Sequence, residues 1–368
     1  MSRGLGASCN PVDSQQMVIA DMHNPVDIGV KSDDANPVLV EVTRGNMVES
    51  RHRASFAVTD SSGRVVLSAG AVERPIYGRS AIKPLQAIAL VESGAAEAFE
   101  LGDQEIALAC ASHNSEPRHV ETVIAWLARI GCGVEDLECG PHLPGNETAM
   151  IALLRAGGEP TRAYNNCSGK HSGFLSVARH TGVPTKGYIA YEHPVQQRVL
   201  GILETMTGLD LGDAARGIDG CGIPVIGIPL GNLALAMARF ADPADQPEAR
   251  QAAIARIRRA MAAEPFMVAG TDRFCTDVMA ASHGRALVKT GAEGVYCGAV
   301  PELGLGIALK VDDGAARGAE QLMGRLLRRL EVIDDEAAAR LSGLLEPQIF
   351  NRAGLAVGEV RGPADCRF

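Results

Sequence analysis

The chain has 368 residues, 46% of them hydrophobic, which is enough for a sizeable core in one large domain or two ordinary ones. A formal net charge of −9 argues against nucleic acid or an anionic membrane as partner. No apolar stretch reaches the roughly 18 residues of a membrane span, and the longest candidate, Val225 to Ala241, is interrupted by Pro229, Asn232 and Arg239.

Residues 1–36 read as a disordered extension, with Asn-Pro-Val at Asn10, Asn24 and Asn36 marking turns rather than a repeat. Order is expected from residue 37, and no Gly/Ser-rich linker divides 37–368, so these residues form one expected domain. Strands are predicted at Val38–Thr43, Ala54–Val58 and Val65–Ser68, the last two joined by a turn at Asp60–Gly63, as an antiparallel meander. Helical patterns follow at Ser80–Val91, Asp103–Ala111, Pro117–Ile130, Glu147–Ala156, His171–His180, Pro194–Met206, Leu230–Phe240 and Glu248–Ala263. Strand signals return at Ala286–Lys289, Gly294–Cys297, Gly306–Lys310 and Ala356–Val360, with one helix, Ala316–Leu330, among them. The fold class is therefore α/β (α+β), with an antiparallel sheet built from both termini and flanked by a helical middle. The N-terminus shows no basic region followed by an apolar block. A cytoplasmic protein is expected, with its nine cysteines reduced.

Three short motifs occur in order: Ser80-Ala-Ile-Lys83, Ser112-His113-Asn114 and Lys289-Thr290-Gly291. Together they match S-x-x-K, S-x-N and K-T-G, the pattern of serine enzymes that acylate on an amide substrate, such as penicillin-binding proteins and class A β-lactamases. A three-residue spacing at a helix start puts Ser80 and Lys83 on one face. A serine hydroxyl is a poor nucleophile until a base takes its proton. Lysine can be that base where burial or nearby cations depress its pKa. Ser112 falls on an interhelical loop and could relay a proton. Lys289 ends a strand, where it could lower the pKa of Ser112 or hold a substrate carboxylate. Each motif alone has a bland reading, an N-cap serine, a capping loop or an ordinary turn. Lysine is scarce, with arginine as the general-purpose cation, and Lys83, Lys170 and Lys289 all fall in the segments singled out.

A second constellation comprises Asn166-Cys-Ser-Gly-Lys-His171 and Asp219-Gly-Cys221. Two cysteines with a nearby histidine could bind zinc, although paired C-x-x-C spacing is missing. Cys167 could instead be a reactive thiol before a helix N-terminus, or both cysteines could be inert core residues. Neither a Walker A sequence nor a convincing G-x-G-x-x-G calls for a nucleotide.

These segments, with Val42-Thr-Arg-Gly45, Glu49-Ser-Arg-His52, Arg79 before the first serine, Ala111–Glu116 and Phe274-Cys275, resemble the Rhizobium etli-type (class 3) L-asparaginases from about residue 38 to beyond 310. The resemblance implies a serine β-lactamase-like fold, a homodimer and hydrolysis of L-asparagine to L-aspartate and ammonia. It makes Ser80 the nucleophile paired with Lys83, and Ser112 a second serine paired with Lys289. It makes Cys167, Lys170 and Cys221 the ligands of a zinc ion that shapes the pocket more than it activates water. Arg79, His171 and Asp219 become substrate-binding groups. The sequence departs from the family at Ala269–Arg273, where Thr271 and Asp272 stand in place of Glu-Gly. Rival readings are another serine amidohydrolase with the same motifs, a β-lactamase, peptidase or glutaminase, and a non-catalytic zinc-stabilised binding protein.

Overall fold

A computed structural model describes residues 35–364 and, before them, the backbone of the short strand β1, Val26–Ile28, which runs parallel to β4 (Val65–Ala69). The rest of the expected extension lies outside the described residues.

The main sheet is antiparallel apart from that β1 pairing. Its strands are ordered β11 (Gln348–Phe350), β12 (Ala356–Arg361), β2 (Val38–Arg44), β3 (Met47–Asp60), β10 (Leu305–Val311), β9 (Val295–Val300) and β8 (Leu287–Thr290). N-terminal and C-terminal strands thus interleave, with the helices between them in sequence, as the alternation of patterns implied. The strand β3 is longer than the expected Ala54–Val58. Its 14 residues switch partners midway, because its two halves have different surroundings. Met47–Arg53 alternates toward solvent and pairs with β2 (Arg44 opposite Met47, Val38 opposite Arg53). The following residues are buried on both faces and pair with β10 on one side (Val58 opposite Ile307) and β4 on the other (Val58 opposite Leu67). A second small sheet, β5 (Pro75–Tyr77), β7 (Pro224–Pro229) and β6 (Arg216–Ile218), carries no clear strand pattern in the sequence. There the apolar run from Val225 divides at Pro229, which ends β7 and precedes the helix Leu230–Ala241.

The helix Lys83–Glu92 is the hub of the helical layer. Every residue from Lys83 to Leu90 is buried, so it is enclosed on all sides. Around it pack the helices Ser168–Thr181, Pro194–Thr207 and Glu248–Ala263. Two short helices absent from the sequence reading, Pro265–Ala269 and Phe274–Ala281, line the same core. Cys110, Cys139, Cys275 and Cys297 are buried free thiols, the small apolar role expected of most cysteines here. Among the described residues no helix is long and apolar enough to cross a membrane.

The helix Leu230–Ala241 lies across β3, β9 and β10 with no side chain between it and β10 at Gly306. A Cβ at that position would collide with the Ala238 amide nitrogen and the Ala234 carbonyl oxygen. Both obstacles are backbone, so neither can swing away. Gly306→Ala is expected to lower stability by about 1–3 kcal/mol through overpacking, read as a lower denaturant midpoint with an unchanged slope. A midpoint equal to wild type would contradict this backbone-on-backbone contact.

Candidate active site

The first motif does not begin an α-helix at Ser80. Residues Arg79–Ile82 form a 3₁₀ turn, and Lys83 is the first residue of the α-helix behind it. Arg79 holds a left-handed conformation, φ +47°, costly for a side-chain-bearing residue and typical of over-determined functional turns. The third motif runs against this turn. A Cβ on Gly291 would sit 3.1 Å from the Gly78 carbonyl and 3.2 Å from the Ala81 amide, so glycine permits the close approach.

The second motif is stitched into place by its backbone. The Ser112 N–H donates to Val268 O (3.0 Å), that of His113 to Asn166 O (3.3 Å) and that of Asn114 to Ala269 O (3.0 Å). His113 and His119 hold the loop from below. The Ser115 N–H donates to His113 Nδ1 (3.1 Å), and His113 Nε2 bonds Ser168 Oγ (2.9 Å). The Glu116 N–H donates to His119 Nδ1 (3.2 Å), while His119 Nε2 meets Phe266 O (3.0 Å). The two imidazoles stack at 5.0 Å, and Phe266 continues the stack at 4.6 Å. Burial pushes the pKa of His113 well below the imidazole range. These histidines are occupied with backbone.

At the centre, Ser112 meets two lysines. Lys83 Nζ lies 3.1 Å from Ser112 Oγ, and Lys289 Nζ lies 2.8 Å from the same oxygen. Lys83 also reaches the Ala111 carbonyl and, at 3.2 Å, Cys167 Sγ. Lys289 also bonds the carbonyl of Thr290 at 2.7 Å. The structure therefore joins Lys83, Ser112 and Lys289, whereas the Ser80 hydroxyl makes no hydrogen bond to Lys83 or to any other described residue. Burial lowers the pKa of Lys83 even though Cys167 pulls the other way. Burial, with the charge of Lys83 beside it, brings Lys289 down to about 7.

The second constellation closes on the far side of Lys83. Lys170 Nζ lies 3.0 Å from Cys221 Sγ, and the Cys167 and Cys221 thiols influence each other's ionisation. The neighbouring Cys221 thiol, reinforced by Lys83 and Lys170, holds Cys167 well below the ordinary thiol range, and Cys167 in turn pushes Cys221 up. Burial would depress Lys170, but the two sulfurs outweigh it and raise it to about 12. Among the described residues no three His, Cys, Asp or Glu side chains converge as a metal-binding group. What converges is two thiols and one amine. Asp219 approaches this group, its Oδ2 3.9 Å from Cys221 Sγ, while its Oδ1 pairs with Arg79 at 2.8 Å. Burial favours the neutral acid of Asp219, but Lys170 and Arg79 hold its pKa below the usual range. His171 is fully buried, its Nδ1 2.6 Å from the Tyr188 hydroxyl. Of the ten residues singled out in the sequence, eight lie on this network; Ser80 is tied to it only through its backbone turn, and His171 through the helix it shares with Lys170.

Sequence reading missed three members of the surroundings. Arg273 donates to Asn114 Oδ1 (2.6 Å) and to the Ser112 carbonyl (3.3 Å), bracing the second motif. Glu116 accepts from the Thr271 N–H (2.8 Å) and hydroxyl (2.7 Å), so the divergent Thr271-Asp272 pair is anchored to the same loop. Tyr188 backs His171. Of these Arg273 and Glu116 carried a signal, Arg273 directly before Phe274-Cys275 and Glu116 at the end of the Ala111–Glu116 segment, and Tyr188 carried none.

The model of the family described as L-asparaginase II matches residues 40–362. No curated protein matches the chain. Among solved structures it is similar to that of Mglu, at 15% identity over 89% of this chain and 77% of that one, TM-score 0.44. A β-lactamase from Mycobacterium bovis is similar at 14% identity over 79% of this chain and 95% of that one, TM-score 0.35. The simvastatin synthase LovD from Aspergillus terreus is similar at 12% identity over 78% and 93%, TM-score 0.35.

Proposed function

This chain belongs to the L-asparaginase II family of amidohydrolases, and we propose that it hydrolyses the side-chain amide of L-asparagine to L-aspartate and ammonia through an acyl-serine intermediate. The observation that carries the mechanism is the hydroxyl of Ser112 held between two buried lysine amines, beside the turn that bears Ser80. We propose further that residues 37–368 act as one catalytic domain, in a cytoplasmic homodimer.

In this reading Ser80 Oγ attacks the side-chain amide carbon, forming a C–O bond while its proton passes to neutral Lys83. Backbone N–H groups of the turn, including that of Ser80, receive the developing oxyanion. The proton returns through Ser112 to the amide nitrogen, the C–N bond breaks and ammonia leaves. Water then cleaves the ester, releasing aspartate and restoring the serine. Arg79, oriented by Asp219, holds the substrate carboxylate as a fork of donors. A second reading exchanges the serines. It is favoured by the two lysines on Ser112 and the lack of any on Ser80, and it makes Ser112 the nucleophile and Lys289 its base.

Ser80→Ala should reduce ammonia release by about a thousandfold or more, the scale of losing a nucleophile. Mass spectrometry of acid-quenched wild-type enzyme should find the acyl adduct on the peptide containing Ser80. Activity of Ser80→Ala within tenfold of wild type, with the adduct on Ser112, would transfer the role. Nitrocefin turnover in place of asparagine turnover would favour the β-lactamase reading, and preference for L-glutamine the glutaminase one.

The lysine pKa values set a pH dependence. Only a neutral amine accepts the serine proton, and Lys289 loses its charge near 7. With Lys289 as base, kcat/KM should rise with pH through about 7 and flatten above it, whereas with Lys83 as base, lowered by burial from the ordinary lysine range, it should keep rising toward an alkaline optimum, the apparent value belonging to the coupled lysines. A maximum near about pH 5 with a fall toward pH 8 would point to a carboxylate base such as Asp219.

Zinc fits the donor set of Cys167, Lys170 and Cys221: two thiols and an amine, with Lys170 Nζ 3.0 Å from Cys221 Sγ and the Cys167 thiol held well below its ordinary range. Bound there, it would supply fixed positive charge and rigidity to the pocket wall. Lysine coordinates only when neutral, so loading must also strip the proton that keeps Lys170 charged up to about 12, and uptake should strengthen with pH. Elemental analysis should find about one zinc per chain, lost in the Cys167→Ser, Cys221→Ser double variant. Full occupancy in that variant would place the metal elsewhere, and metal without any turnover would favour the binding-protein reading.

A further inference from the structure

The buried ring of His171 has one nitrogen engaged and one alone. Its Nδ1 lies 2.6 Å from the Tyr188 hydroxyl, while its Nε2 has no hydrogen-bond partner among the described residues. The direction of the first bond follows from counting protons. The backbone N–H of Glu138 lies 2.9 Å from the same hydroxyl, and a backbone N–H can only donate. Tyr188 Oη therefore accepts from Glu138, and its single proton is left for His171 Nδ1. With Nδ1 accepting, the neutral ring carries its own proton on Nε2. The opposite arrangement, with Nδ1–H donating to the phenol, leaves the phenolic proton without an acceptor and a bare buried Nε2 lone pair beside it.

The phenol is itself held. Tyr188 is fully buried, and its carbonyl accepts from Gln196 Nε2 at 2.9 Å. The N–H of the preceding Gly187 donates to the Glu138 carboxylate at 2.8 Å, so Glu138 grips the Tyr188 segment at both ends. The ring packs edge-on against His171 at 5.5 Å. These contacts hold the phenol oxygen against His171 Nδ1.

We propose that Tyr188 is a positioning residue that fixes His171 in its Nε2–H tautomer and so equips the pocket with a neutral, buried donor for a carboxylate oxygen of the substrate. The second half rests on the proposed function, in which His171 lines the asparagine pocket. The first half stands without it. A donor buried with no acceptor is unfavourable until something supplies one, and a carboxylate oxygen is acceptor-only.

Nitrogen-15 NMR of full-length protein labelled at histidine reads the tautomer directly without substrate, with the His171 signals assigned by their loss in His171→Gln. Wild type should show a protonated Nε2 and an unprotonated, hydrogen-bonded Nδ1. Tyr188→Phe keeps the ring and removes the proton donor, so the His171 signals should move to a mixture of tautomers. In the same variant KM for L-asparagine should rise about tenfold with kcat within about twofold, the signature of lost binding rather than lost chemistry. Placed on His171→Gln, Tyr188→Phe should add nothing further, since both act through one donor. An Nδ1–H tautomer in wild type would overturn the positioning role. Shifted tautomers with unchanged KM would overturn the substrate contact. A wild-type protein that shows the Nε2–H tautomer but hydrolyses no asparagine would sink the proposed activity and leave the tautomer assignment standing.

Discussion

Three ammonium groups brought out of water dictate the rest of this molecule. Lys83, Lys170 and Lys289 are buried to 0%, 2% and 1% exposure, within one connected network of serines and cysteines. A charged amine cannot stay buried alone, so each must be neutralised or partnered. The site does both. Lys289 sits where burial and a neighbouring cation make it easy to discharge, and Lys170 where two sulfurs keep it charged. Lys83 lies between, sharing its hydrogens among a carbonyl, a hydroxyl and a sulfur. One fold thus holds amines of the same kind in different protonation states a few ångströms apart, the condition acid–base chemistry at neutral pH requires.

Holding that network in place takes rigid backbone. Arg79, Ser115 and Asp272 all adopt left-handed conformations, at φ +47°, +60° and +56°, each within or beside a segment that carries a site residue. Such conformations persist only where the surroundings over-determine them. Here they are pinned by the Arg79–Asp219 pair, by the bond from the Ser115 hydroxyl to Tyr164 O, and by Glu116 gripping Thr271. Glycine supplies the complementary device. At Gly291 the third motif lies against the first, and at Gly169 the helix carrying Lys170 rests on the Leu108 carbonyl of the helix leading to Ser112. Close backbone contact transmits position without the play of side chains.

The histidines divide by what their nitrogens touch. His113 and His119 spend both nitrogens on backbone amides, a carbonyl and a serine, which makes them struts under the Ser112 loop. His171, equally buried, retains one nitrogen for another partner.

The sequence by itself determined the chemistry's vocabulary and much of its frame. Motif order and residue type picked out the lysines, serines and thiols that meet. Hydrophobic periodicity located strands such as Val38–Arg44 and helices such as Glu248–Ala263, since those patterns repeat over short distances along the chain. What it could not contain was the pairing. Spacing puts Ser80 and Lys83 on one turn, but it could not name the acceptors that the packed core brings to the buried amine, which are Ala111, Ser112 and Cys167. The doubling of β3, the small sheet of β5 to β7, the brace from Arg273 and the phenol behind His171 share that origin. Each depends on groups far apart in sequence, and only packing decides which of them meet and which way a proton between them points.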